Sequence, residues 1–166
     1  MFRIKLLILL LSSLIFYSCT SAPESKNNLK FNLNYISGGE DGLILSSNLN
    51  SRLNMMGAND PDSKFSISAS IAHNERFFVT QIDSTSDRKE IITTLTATVF
   101  DNNNQCNVYE YKNNISQFFV LSSSIYYLSN QKAILEIKKR NTEILSEKFI
   151  NKLMYAELYC SDDTKS

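Results

Sequence analysis

Glu90-Ile-Ile-Thr-Thr-Leu-Thr-Ala-Thr-Val-Phe100 alternates along its length. Ile91, Leu95, Ala97 and Val99 fall on one side with Thr93, and Thr94, Thr96 and Thr98 line the other. Successive side chains of a strand point to opposite faces, so this pattern predicts a half-buried strand with a wet, hydroxyl-bearing face. Thr suits such a face because a β-branched side chain packs well on a pleated surface.

Upstream, Phe65, Ile67, Ala69 and Ile71 alternate with Ser and Lys, which predicts a partner strand. Apolar and β-branched residues persist from Phe77 to Ile82, and Asp83 to Asp87 forms a polar hairpin tip. Leu29 to Tyr35 alternates over seven positions and predicts the first strand. Between them Leu45, Leu49, Leu53 and Met56 recur at four, four and three, one face of a helix. Asp41 is its expected N-cap and Gly57 its stop. Asn59-Asp60-Pro61-Asp62 is a turn cluster.

Downstream, Asp101 to Gln105 makes a turn and Cys106 to Leu121 carries a fourth strand, interrupted near Asn113-Asn114. From Ser129 to about Leu158 there is neither Gly nor Pro, and Ile134, Ile137, Asn141, Ile144, Leu145, Phe149 and Leu153 recur at three and four. That is a long amphipathic helix. The predicted order is β-α-β-β-β-α: an α+β, two-layer domain whose four-stranded, mostly antiparallel sheet carries two helices on one face.

A chain of 166 residues, 43% hydrophobic and 20% charged, holds one packed domain. Lys+Arg 17 against Asp+Glu 17 leaves no net field to attract a polyanion, so nucleic acid is not an expected partner. One His and three Cys are too few for most multi-ligand metal sites.

The first 18 residues have the form of a secretion signal: Arg3 and Lys5, an apolar run from Leu6 to Phe16, then Ser18 before Cys19. The apolar run falls short of the roughly 20 residues that span a bilayer. A small residue followed by Cys resembles the lipobox of bacterial lipoproteins, with Phe16 and Tyr17 departing from its usual residues. Cys19 is then the acylated first residue, and several acyl chains hold a protein to a membrane more firmly than one. Thr20 follows, whereas an Asp there is the usual signal against outer-membrane sorting. Residues 19–28 are small and polar and form the expected tether to a domain over 29–160, with 161–166 a tail.

With Cys19 acylated, Cys106 and Cys160 remain as an even pair in an oxidising compartment. The last strand runs roughly 50 Å at about 3.3 Å per residue, and a returning helix covers about 40 Å, which brings Cys160 back towards Cys106. Both readings stand, a bridge or two buried thiols.

No phosphate-binding glycine loop, paired-Cys motif, zinc-protease motif or nucleophile elbow occurs, and neither an enzymatic activity nor a cofactor is expected. His73 is a strand-end polar residue beside Asn74 and Glu75; Asp41, Asp60 and Asp62 are capping and turn residues. Lys138-Lys139-Arg140 is a solvated helix face balanced by Glu136, Glu143 and Glu147. The cations with a candidate role are Arg88 and Lys89 at the hairpin and Lys132 at the start of the long helix, since Lys and Arg bind the phosphates of an amphiphile.

The lipobox Cys, the order of elements, and the stretches Ile91 to Asp101 and Ser122 to Tyr127 together resemble the lipopolysaccharide-assembly lipoprotein family, LptE, of alphaproteobacterial type. The resemblance covers about Leu29 to Leu153 and rests on pattern and order. It implies an outer-membrane lipoprotein on the periplasmic side that plugs an LptD-like β-barrel, assists its assembly and contacts lipopolysaccharide. Arg88 and Lys89 fall in the hairpin where relatives make that contact; at the helix position this chain has Asn130, with Lys132 two residues on. The rival expectation is a free periplasm-facing lipoprotein that binds a small ligand or inhibits a hydrolase.

Overall fold

A computed structural model describes residues 29–78, 88–121 and 127–160. The expected signal and tether, the Asp83–Asp87 tip and the tail lie outside the described residues. The elements are β1 (Asn32–Ser37), α1 (Gly39–Met55), β2 (Phe65–Phe78), β3 (Arg88–Asp101), β4 (Cys106–Val120) and α2 (Tyr127–Met154). This is the predicted β-α-β-β-β-α order, in an α+β fold.

The strands lie in the order β1-β2-β3-β4. β1 runs parallel to β2, while β2–β3 and β3–β4 are antiparallel, so the sheet is mixed. Pairing of Ile67 with Val99, Ala69 with Ala97 and Ile71 with Leu95 stacks the apolar side chains in rows on one face. Leu45, Leu49 and Leu53 of α1 and Leu145, Phe149, Ile150 and Leu153 of α2 join those rows in one buried cluster. Both helices therefore cover the same face. Ser66, Ser68, Ser70, Thr94, Thr96 and Thr98 occupy the opposite one, as the period of two requires.

Several details differ from expectation. β1 covers Asn32–Ser37 because its register shifts between Leu33 and Tyr35, which breaks strict alternation and turns Tyr35 to the open face beside Ser68. Phe31 stays buried through a separate bridge: its N–H donates to Ala58 O at 2.8 Å and its carbonyl accepts from Asp60 N–H at 3.0 Å. β4 runs unbroken through Asn113-Asn114, which pair with Leu95 and Thr94; the irregularity lies instead between Val99 and Phe100. α2 ends at Met154, and the chain continues without helix to Cys160, which a disulfide joins to Cys106 with a Cα–Cα distance of 5.8 Å.

Helix α1 opens one turn ahead of the predicted cap. Gly38 holds the N-cap position at φ 128, leaving Asp41 in the first turn, where a carboxylate complements the helix dipole. A Cβ on Gly38 would come within 2.8 Å of both Ile71 Cγ2 and the Ile71 carbonyl oxygen. Gly38→Ala combines this clash with a backbone angle that L-residues rarely adopt, and should destabilise the fold by about 1–3 kcal/mol. Chemical denaturation checks this; an unchanged midpoint would show that the turn relaxes freely.

Candidate functional site

Two surfaces stand out, the open face of the sheet and its far end. The open face is floored by Ser68, Ser70, Thr96 and Thr98 with Tyr35 at its rim, and holds a shallow hollow of about 200 Å³. Small hydroxyl side chains of β2 and β3 cover the middle of it, and Glu110 and Lys112 of β4 flank them opposite Thr98 and Thr96.

The far end is where β2 stops, β3 starts and β4 stops. Leu29, the first described residue, lies at the other end, because β1 is parallel to β2 and begins beside Ser66. From Ser66 to Phe78 the sheet extends about 40 Å at about 3.3 Å per residue. A tether attached before Leu29 thus joins the domain opposite its far end.

Strand parity distributes the far-end cations. Phe78, Arg88 and Val120 form one row of the open face, with Arg76, Glu90 and Phe118 in the next. The Phe78 and Phe118 rings lie 5.8 Å apart, and Phe118 is 61% exposed. Arg88 therefore lies in register beside Phe78, next to this aromatic pair, and a guanidinium can stack on such rings.

Lys89, one residue on, points to the helix side. Its side chain is only 8% exposed; its Nζ donates to Glu75 Oε2 at 2.5 Å and lies 4.3 Å from the centre of the Phe77 ring. Glu75 Oε1 meets Lys138 Nζ of α2 at 2.9 Å. The Lys89 hydrogen bond, aided by Lys138, holds the Glu75 carboxyl below its usual range against the opposing effect of burial. The run at 138–140 is accordingly not all solvated face: Lys138 is half-buried and tied to the sheet, while Lys139 and Arg140 are exposed.

Lys132 is exposed near the start of α2. The three predicted cations thus share one end of the domain but occupy separate surfaces: the open face, the interior and the helix. Sequence reasoning missed the exposed apolar residues that accompany them, Phe77, Phe78, Phe118, Val120, Tyr127, Leu128 and Leu135. Their signal was present, since Phe77-Phe78 and Phe118-Phe119-Val120-Leu121 abandon the alternation that a half-buried strand keeps.

A polar line crosses the interior. Asn141 Nδ2 donates to Thr93 Oγ1 at 3.0 Å, Thr93 Oγ1 lies 2.8 Å from His73 Nδ1, and His73 Nε2 lies 3.5 Å from Asp41 Oδ2. His73 thus belongs to the interior and not to a strand end, because β2 continues to Phe78. Acid, imidazole and hydroxyl in series have the order of a proton relay. Thr93, however, is fully buried, so no substrate reaches its oxygen. Elsewhere Asp60 Oδ1 accepts from Asp62 N–H, turn chemistry as expected of that cluster. Among the described residues no group of three His, Cys, Asp or Glu is placed to hold a metal ion.

No family model matches the chain, and no curated protein is significantly similar to it in sequence. Solved structures do share its fold. Rare lipoprotein B from Shewanella oneidensis is 10% identical with a TM-score of 0.58, over 78% of this chain and 95% of that one. A minor lipoprotein from Acinetobacter baumannii is 8% identical with a TM-score of 0.55, over 80% and 97%. Lipoprotein B from Nitrosomonas europaea is 10% identical with a TM-score of 0.53, over 76% and 82%. At these identities the likeness establishes the fold.

Proposed function

We propose that this chain is an outer-membrane lipoprotein of the lipopolysaccharide translocon, anchored through Cys19 on the periplasmic side, acting as plug and assembly partner of an LptD-like barrel. The observation that carries this reading is the open sheet face. Both helices lie on the other side, and a surface of Ser and Thr hydroxyls remains bare. The Ser and Thr strip of such a face packs against the polar wall of a barrel lumen through many hydrogen bonds, and its two charged neighbours, Glu110 and Lys112, have opposite signs. The signal and Cys19, and the fold shared with bacterial lipoproteins, support the anchored form.

Contact with lipopolysaccharide falls in this reading to Arg88 on the Phe78–Phe118 surface and to exposed Lys132, which offer cations beside apolar side chains, as an acylated phosphate requires. Lys89 stays committed to Glu75. The protein has no catalytic part in this role.

Affinity purification from native membranes in mild detergent should recover a stoichiometric complex with a large outer-membrane barrel. Ser70→Arg combined with Thr96→Arg adds bulk and charge to the open face without touching the core, and should abolish co-purification while leaving the melting temperature near wild type. Recovery of wild type as a lone monomer would instead favour the free ligand-binding or inhibitory lipoprotein.

A further inference from the structure

The proposed function makes no use of the interior polar line, and one arrangement of protons satisfies the hydrogen bonds at its centre. The Asn141 amide donates to Thr93 Oγ1. Among these partners the Thr93 hydroxyl hydrogen finds its acceptor in His73 Nδ1, 2.8 Å away. The ring is then neutral and carries its proton on Nε2, facing Asp41 Oδ2 at 3.5 Å, beyond good hydrogen-bond geometry. His73 Nε2 and Asn141 Oδ1 are both buried without a hydrogen-bond partner, so the line is held at its centre and unfinished at both ends.

We propose that His73 is an acid-sensitive latch: a second proton on its ring loosens the helix layer from the sheet at the end of the domain that carries Arg88. That proton goes to Nδ1 and turns an acceptor into a donor, aimed at a hydroxyl that was itself donating. Thr93 is fully buried and must then turn its hydrogen away from its only acceptor in the line, which is costly inside a protein.

The charges around the ring oppose this, and burial outweighs them. Asp41 faces the ring from α1 and Glu75 lies two residues along its own strand, while Lys138 of α2 acts the other way and Lys89 of β3 is held by Glu75. Burial wins because the side chain is only 3% exposed, and the one carboxylate facing the ring, Asp41 at 3.5 Å, is itself 36% exposed. An imidazolium would also repel Lys138 of α2, whose ammonium Glu75 holds against the sheet. Acid thus loosens the joint of β2, β3 and α2.

Burial pushes the His73 pKa down, with Lys138 adding to the effect and Asp41 and Glu75 opposing it. The unfolded chain takes up this proton near pH 6.5 and the folded chain only below that. The contribution to stability is therefore complete above pH 6.5 and is lost as pH falls towards the folded value. Glu75 and Asp101 titrate below their ordinary values of 4.5 and 3.8, so a window from pH 7.5 to 5.0 isolates the imidazole.

His73 is the sole histidine, so the imidazole NMR signals of an untagged chain report it without ambiguity. The ring should titrate with a midpoint below 6.5, and the melting temperature should fall from pH 7.5 to 5.0. Over the same window, amide exchange corrected for its intrinsic pH dependence should quicken in residues 88–93 and 134–145. His73→Gln keeps an acceptor for Thr93 and cannot take the proton, and its melting temperature should stay level across the window. A ring midpoint at or above 6.5, a level wild-type melting temperature, or an equal drop in His73→Gln would each overturn the proposal. The ring titration and the wild-type profile decide it even where the variant fails to fold.

Discussion

Phe149→Ala is expected to remove about 3–5 kcal/mol of stability, the usual cost of truncating a fully buried aromatic side chain. Domains of this size are stable by about 5–15 kcal/mol in all, so a large share of the margin goes with one ring. Phe149 has no solvent exposure and lies where α2 crosses β4. Its ring centroid is 5.2 Å from that of Tyr111 and 6.5 Å from that of Tyr109, the latter nearly stacked. Truncation opens a cavity and also ends both ring contacts, each worth about 0.5–1.5 kcal/mol. The tyrosines cannot readily follow the void inward because Tyr109 and Tyr111 are paired with Val99 and Ala97 of β3. Urea denaturation measures the effect. Lys148→Ala, at the exposed neighbouring position, should stay within about 0.5 kcal/mol of wild type. A loss below about 1 kcal/mol for Phe149→Ala would mean that α2 contributes little to holding the sheet.

The elements legible in the sequence are those whose burial is one-sided. β3 is plain because Ile91, Leu95, Ala97 and Val99 meet the helices while Thr94, Thr96 and Thr98 meet solvent. Leu45, Leu49 and Leu53 mark α1 for the same reason. β1 was displaced because a register shift at Leu33/Tyr35 has no local sequence signature. Asn113-Asn114 looked like a break because polar pairs favour turns, yet ladder bonds to β3 outweigh that preference.

The candidate site was only half legible. That Arg88 and Lys89 face opposite ways follows from parity alone, once β3 is seen to begin at Arg88. What buries Lys89 was out of reach, since Glu75 lies 14 residues away and Lys138 reaches it from another element. The line from Asn141 through Thr93 to His73 spans separations of 48 and 20 residues and exists only after the layers have packed. A mid-strand Thr among apolar residues was its one local trace.

Replacing Cys106 and Cys160 together by serine is expected to cost about 4 kcal/mol, because the bridge closes a 54-residue loop and so restricts the unfolded chain. The folded side of the equilibrium should change little. The β3–β4 turn beside Cys106 is held independently by Asp101, whose carboxylate accepts from Asn103 N–H, Asn104 N–H and Asn104 Nδ2. Burial opposes the ionisation of Asp101, but those three donors outweigh it and hold its carboxyl below the ordinary range. The bridge therefore fixes the segment after α2, where Leu158 and Cys160 pack against the core beside Cys106. Two signatures follow in denaturation. The midpoint should fall, and the slope with denaturant should rise, because an unfolded chain without the cross-link exposes more surface. Unchanged midpoint and slope, with faster amide exchange confined to residues 155–160, would reduce the disulfide to a local clasp. The double variant is the right comparison, since a single substitution leaves a free thiol open to mispairing.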